Sequence, residues 1–207
     1  MSPTGERAGH RYRFEAGDPD GPVLLVLHGT GGNENDLVPL TKLISPNATI
    51  VSPRGNVLEN GMPRFFRRLA EGVFDLEDLH RRTAELGVFL TEAASAHGFA
   101  LDRVTALGFS NGANIAASLM LTDPALLRRA ILIRAMVPFE PASMPDMRGA
   151  SVLVSAGRTD PIIPPGNSER LAELMRAAGA TVDLRWQSAG HNLVQGDIDD
   201  ARRFLAG

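Results

Sequence analysis

Val104-Thr105-Ala106-Leu107-Gly108-Phe109-Ser110-Asn111-Gly112-Ala113-Asn114 decides the fold of this chain. An apolar run leads in, and Ile115-Ala116-Ala117-Ser118-Leu119-Met120 leads out with helical character. Gly108-x-Ser110-x-Gly112 is the nucleophile-elbow pattern, a sharp strand-to-helix turn that lifts a serine hydroxyl above the end of a sheet. The glycines belong to that turn because side chains there would collide with neighbouring backbone. The turn also sets the Asn111 N–H at a helix N-terminus, where negative charge is favoured. A plainer reading makes the glycines a packing device and Ser110 a helix N-cap. The partners of Ser110 weigh against it.

Outward from this segment, short apolar runs alternate with amphipathic stretches, the signature of an α/β domain with a mostly parallel sheet. Strands are predicted at about 10–15, 23–28, 49–52, 103–109, 129–133, 151–156 and 181–187. Helices are predicted at about 34–44, 76–96, 111–121, 165–178 and 195–205. In the second helix, Leu76, Leu79, Thr83, Leu86, Leu90 and Ala93 recur every three or four residues and form one core-facing stripe. Gly98 is placed to end it. Pro53–Phe74 reads as a long loop and Pro138–Arg148 as an irregular Pro- and Met-rich stretch. Both are expected to wall a site.

His28-Gly29-Thr30-Gly31-Gly32 follows the strand 23–28 and opens a helix. Its glycines allow backbone to approach a ligand, and Thr30 is placed to offer an N–H beside that of Asn111. No Gly-Lys-Ser/Thr follows, so a phosphate loop is excluded. His28 itself reads as a packed residue bridging two loops. Of five histidines, only His191 follows the serine, and it sits between the last strand and the last helix, at the sheet edge that carries Ser110. Asp160 lies just past a strand at the same edge, while Asp183 is within a strand and Asp197, Asp199 and Asp200 are on the last helix. Asp before Pro is also a common turn residue. The order Ser110, Asp160, His191 favours nucleophile, acid and base.

Composition bounds the function. With 207 residues, 43% hydrophobic and 22% charged, the chain suits one domain spanning 1–207. A net charge of −3 gives no case for nucleic acid. There are no cysteines, which excludes disulfides, thiolate zinc and a cysteine nucleophile. The longest apolar run, Val23–Leu27, is far short of a membrane span. The polar N-terminus lacks a signal-peptide pattern. No cofactor or membrane insertion is expected, and the cytoplasm is the expected location. Lys42 is the single lysine.

LHGTGGNEND at 27–36, SPRGN at 52–56, ALGFSNGAN at 106–114, SAGRTDPIIP at 155–164 and SAGHNL at 188–193 together resemble the carboxylesterase/phospholipase branch of the α/β-hydrolases. That branch includes small esterases and acyl-protein-thioesterase-like enzymes. The stretch Pro53–Glu77, with RGNVLENGMPRFFRRLAEGVFDLE, looks closest to bacterial hydrolases linked to hydroquinone resistance. The resemblance implies a sheet of about seven strands, helices on both faces and no large cap. It implies a Ser110, Asp160, His191 triad with Thr30 and Asn111 as oxyanion donors, and it suggests a homodimer. Two features depart from the family: Asn111 replaces a frequent Gln, and Arg64-Phe65-Phe66-Arg67-Arg68 replaces a Trp-Tyr-Asp stretch of the acyl-thioesterases.

The expected activity is hydrolysis of small or short-chain esters through an acyl-enzyme. Met62, Phe65, Phe66, Phe74 and Ile163 are candidate linings, although Phe65 and Phe66 fit plain loop packing as well. Thioester or lysophospholipid hydrolysis, and a non-catalytic receptor on the same scaffold, are the alternatives. A cysteine-dependent dienelactone hydrolase is excluded by composition.

Overall fold

The computed structural model describes residues 4–207. The eight strands of the main sheet are β1 (Thr4–Arg7), β2 (His10–Glu15), β3 (Val23–Leu27), β4 (Thr49–Pro53), β9 (Val104–Phe109), β10 (Arg129–Ile133), β11 (Ser151–Gly157) and β12 (Thr181–Gln187). Their order is β1-β2-β4-β3-β9-β10-β11-β12. The pairs β1–β2 and β2–β4 are antiparallel, and all the others are parallel. Two hairpins, β5 (Val57–Glu59) with β6 (Met62–Arg64) and β7 (Arg68–Ala70) with β8 (Val73–Phe74), stand apart from the sheet. The helices are α1 (Val38–Ile44), α2 (Leu76–His97), α3 (Asn111–Thr122), α4 (Pro165–Ala177) and α5 (Gln195–Ala206).

Strand alternation divides the apolar runs between two helical layers. Leu25 and Leu27 of β3 pack into the cluster that holds the apolar faces of α2, α3 and α4. Leu24 and Val26 turn the other way, toward α1, and Ile131, Ile133 and Leu153 meet α5. Parallel strands covered on both faces must be apolar throughout, as β3 is. On α2, Leu79, Leu86, Phe89, Leu90 and Ala93 are fully buried. Each such large side chain contributes about 1.5–3 kcal/mol of transfer free energy. Asp75 caps the helix by accepting from the Asp78 N–H at 3.1 Å, and Gly98 ends it at φ 73°. Leu76 departs from the expected stripe: it is exposed at the first turn.

The sheet has eight strands rather than seven because β1, a polar Thr-Gly-Glu-Arg run, gives no hydrophobic signal. It pairs through a tight turn in which Ala8 and Gly9 both take positive φ. The Pro53–Phe74 loop is likewise folded into the two hairpins. Asn60-Gly61, with φ of 51° and 79°, is the turn dipeptide that marks the first. α1 begins at Val38 rather than near residue 34. Asn33 and Asp36 side chains bond to the backbone of this segment instead, an alternative to helix that short polar side chains offer. Among the described residues no inserted domain covers the carboxyl ends of the parallel strands.

Candidate active site

Ser110 ends β9 in a conformation that few non-glycine residues adopt, φ 51° and ψ −115°. The surroundings enforce it. A Cβ on Gly108 would lie 2.6 Å from Ala113 Cα, and one on Gly112 would lie 2.1 Å from Leu27 O. The turn therefore closes only with glycine on both sides of the serine. The Ser110 N–H donates to Ile133 O at 2.9 Å, tying the turn to the end of β10.

Three loops converge here. Ser110 Oγ lies 2.9 Å from His191 Nε2, and His191 Nδ1 lies 2.8 Å from Asp160 Oδ2. The carboxylate can only accept, so Nδ1 carries the proton and Nε2 is left to accept from the serine hydroxyl. Asp160 also does the work of a turn residue. Its Oδ1 accepts from the Ile162 N–H at 2.8 Å and the Ile163 N–H at 3.1 Å, which fixes the carboxylate that faces the imidazole.

Thr30 and Asn111 border the same cavity as Ser110. Among the described residues neither backbone N–H is committed to a backbone carbonyl of the turns and loops. The Asn111 side chain, 2% exposed, accepts from the Phe65 N–H at 2.7 Å through Oδ1. His28 bridges two loops: Nδ1 donates to Gly29 O at 2.7 Å and Nε2 accepts from the Gly55 N–H at 2.9 Å. Burial holds its pKa below the usual imidazole value.

Around the His191 loop lies a network that the sequence did not advertise. Arg134, fully buried and at φ 53°, donates to Gly190 O and Asn192 O, each at 2.9 Å. These are the carbonyls on either side of His191. The same guanidinium meets Asp197 at 3.0 and 3.2 Å. Asp197 in turn accepts from Ser155 Oγ at 2.6 Å and the Val194 N–H at 2.8 Å. Every polar edge of the buried pair is thus engaged, the condition under which such a pair is tolerated.

A cavity of about 210 Å³ opens beside Ser110. Its lining combines apolar Phe74, Phe109, Met136 and Ile162 with polar Thr30, Arg64, Arg68, Glu71 and Asn114. Of the expected linings, Phe74 borders it; Met62, Phe65, Phe66 and Ile163 do not. Phe65 and Phe66 are fully buried, Phe65 against the His28 ring at 4.7 Å and Phe66 edge-on to Phe74 at 5.0 Å. Two large rings gain more by filling the space under the loop than by facing a wet cavity. Ile163 is 3% exposed and turns inward, so its neighbour Ile162 takes the rim. Met62 lies over Gly31 instead. The 138–148 stretch contributes no lining, and Met136 just before it does. Arg64 escaped detection because arginine reads as a surface residue. Its burial depends on Thr30, 34 positions away.

Fold and site together define an α/β-hydrolase. The match narrows further: the chain belongs to the Phospholipase/Carboxylesterase family, which it matches over residues 14–207. It is 49% identical over 194 residues to MhqD of Bacillus subtilis (strain 168), provisionally named a hydrolase, covering 94% of this chain and 96% of that one. A solved carboxylesterase from Bacillus cereus is 47% identical with a TM-score of 0.93, over 95% of this chain and 93% of its own. A carboxylesterase from Mesorhizobium loti is 34% identical with a TM-score of 0.93 over the whole of both chains. Among the described residues, no cluster of acidic and histidine side chains is arranged to hold a metal ion, and no helix is long and apolar enough to cross a membrane.

Proposed function

We propose that this protein is a serine carboxylesterase acting on small esters through an acyl-enzyme. The supporting observation is the hydrogen-bonded line from Ser110 Oγ through His191 to Asp160, with spacings of 2.9 and 2.8 Å. His191 takes the hydroxyl proton as Ser110 attacks the ester carbonyl, and Asp160 holds the imidazole in its tautomer and stabilises the imidazolium. The Thr30 and Asn111 N–H groups hold the oxyanion, each contributing about 3 kcal/mol. The alcohol leaves with the proton from His191. Water then attacks the acyl-serine, with His191 again as base, and releases the acid. The Phospholipase/Carboxylesterase family and the two carboxylesterase relatives support the ester class. The reading extends to a cytoplasmic homodimer, which size-exclusion with light scattering and cell fractionation would check.

Ser110→Ala should reduce kcat by about a million-fold, since the three side chains act as a unit. A fluorophosphonate should label the wild type at Ser110 and leave the variant unlabelled. Near-wild-type ester hydrolysis by the variant would refute the assignment. An unlabelled wild type would favour the receptor alternative.

A further inference from the structure

Arg64 borders the cavity beside Ser110 and is 3% exposed. Its Nη1 donates to Thr30 Oγ1 at 2.7 Å and its Nε to Phe66 O at 3.2 Å. Among the described residues Nη2 has no hydrogen-bond partner, yet it is not sealed from solvent. A buried guanidinium with an open donor therefore belongs to a residue that borders the cavity.

Its charge is only partly answered. Glu59 approaches to 3.4 Å but lies nearer to Arg68, at 2.9 Å. One carboxylate thus serves two guanidinium groups, and taking an ion out of water costs several kcal/mol when it is poorly paired. Burial pulls the Arg64 pKa below the usual arginine value, the same imbalance expressed as proton affinity. Glu71 also borders the cavity, but it is exposed, where water and salt weaken its field. At contact range the buried guanidinium prevails. A carboxylate fits its planar donor edge with charge-assisted hydrogen bonds. The same cavity is lined by Phe74, Met136 and Ile162, which suit a short methylene chain.

We propose that Arg64 binds a free carboxylate on the substrate, so that the preferred esters are half-esters of short dicarboxylic acids. This rests on Ser110 as nucleophile and names the substrate class for that site. The rival role, in which Arg64 only steadies Thr30, would affect neutral and anionic esters alike.

The test compares kcat/KM for monomethyl glutarate and methyl pentanoate, near-isosteric esters with and without the charge, in a pH-stat at low salt. The full-length wild type should favour the half-ester by about ten- to a hundredfold, as for a hydrogen bond to a charged group. Arg64→Met should erase that preference, mainly through KM of the half-ester, and Arg64→Lys should keep part of it. Equal or better use of the neutral ester by the wild type overturns the proposal. So does an Arg64→Met variant slowed by the same factor on both esters. Fluorophosphonate labelling separates the layers: labelled wild type without a preference overturns the carboxylate assignment alone, while unlabelled wild type overturns both. Should Arg64→Met fail to fold, the wild-type preference and the Arg64→Lys ratio still decide.

Discussion

His28 shows how much one side chain in the loop after β3 can govern through its own hydrogen bonds. Its Nε2 must stay unprotonated to accept from the Gly55 N–H, and its Nδ1 must keep its proton for Gly29 O. A second proton would break the first of these bonds and place a charge where only 1% of the residue is exposed. The folded pKa is depressed below the unfolded value of about 6.5. Between the two values the unfolded chain binds more protons, so stability rises with pH. The contribution is complete above about pH 6.5 and is lost as pH falls toward the folded pKa. Burial shifts His10 and His97 in the same direction. Melting temperature should therefore fall from about pH 7 to pH 5, and His28→Gln should make that slope shallower. An unchanged slope would mean that His28 binds protons equally in the folded and unfolded chain. At this scale the sequence was most legible in which side chains would meet, as Ser110, Asp160 and His191 do. It was least legible where burial decides, as for Phe65, Phe66 and Arg64.

Elements were legible wherever apolar period and length agreed, which covers β9 through α3 and the whole of α2. The hairpins escaped because three-residue strands carry too few alternations to register, although Asn60-Gly61 was a usable turn signal. Arg134 stands at the junction of several elements. It follows β10, whose Ile133 carbonyl holds the Ser110 N–H, and its side chain grips the loop carrying His191 and Asp197 on α5. Ser110 and His191 are thereby registered to one another through a single residue. Arg134→Met should destabilise the protein by about 3–5 kcal/mol, because Asp197 is left as an unpaired buried charge. It should also reduce kcat per phosphonate-titrated site by about a hundredfold while KM changes little, since a misplaced base penalises the reacting geometry. Adding Asp197→Asn should return much of the melting temperature but not the kcat. Full kcat per titrated site in Arg134→Met would confine the pair to stability.

The molecule as a whole brings Ser110, Asp160 and His191 together at the carboxyl ends of parallel strands, and that meeting could be read from the order of strands and motifs. The closing of the rim was read in part: the Pro53–Phe74 stretch was expected to wall a site and borders the cavity, but its hairpins were not foreseen. The two hairpins close the rim, without an added domain, and leave a cavity of about 210 Å³. That is below the roughly 300 Å³ at which sites for drug-sized ligands begin. Across C2 to C12 acyl esters the rate should peak at roughly C2 to C6 and fall thereafter, given that volume. A maximum at the longest chains would refute the small-substrate reading and favour the lipid-ester alternative.

β12 ends the sheet and pairs only with β11. Asp183 and Arg185, both exposed, bond to each other at 2.9 Å along it. A strand from another molecule could add there only by stripping water from both charges, for which it offers no compensation. This border works as a stopper against fibre growth, so concentrated solutions should resist amyloid seeding from this flank.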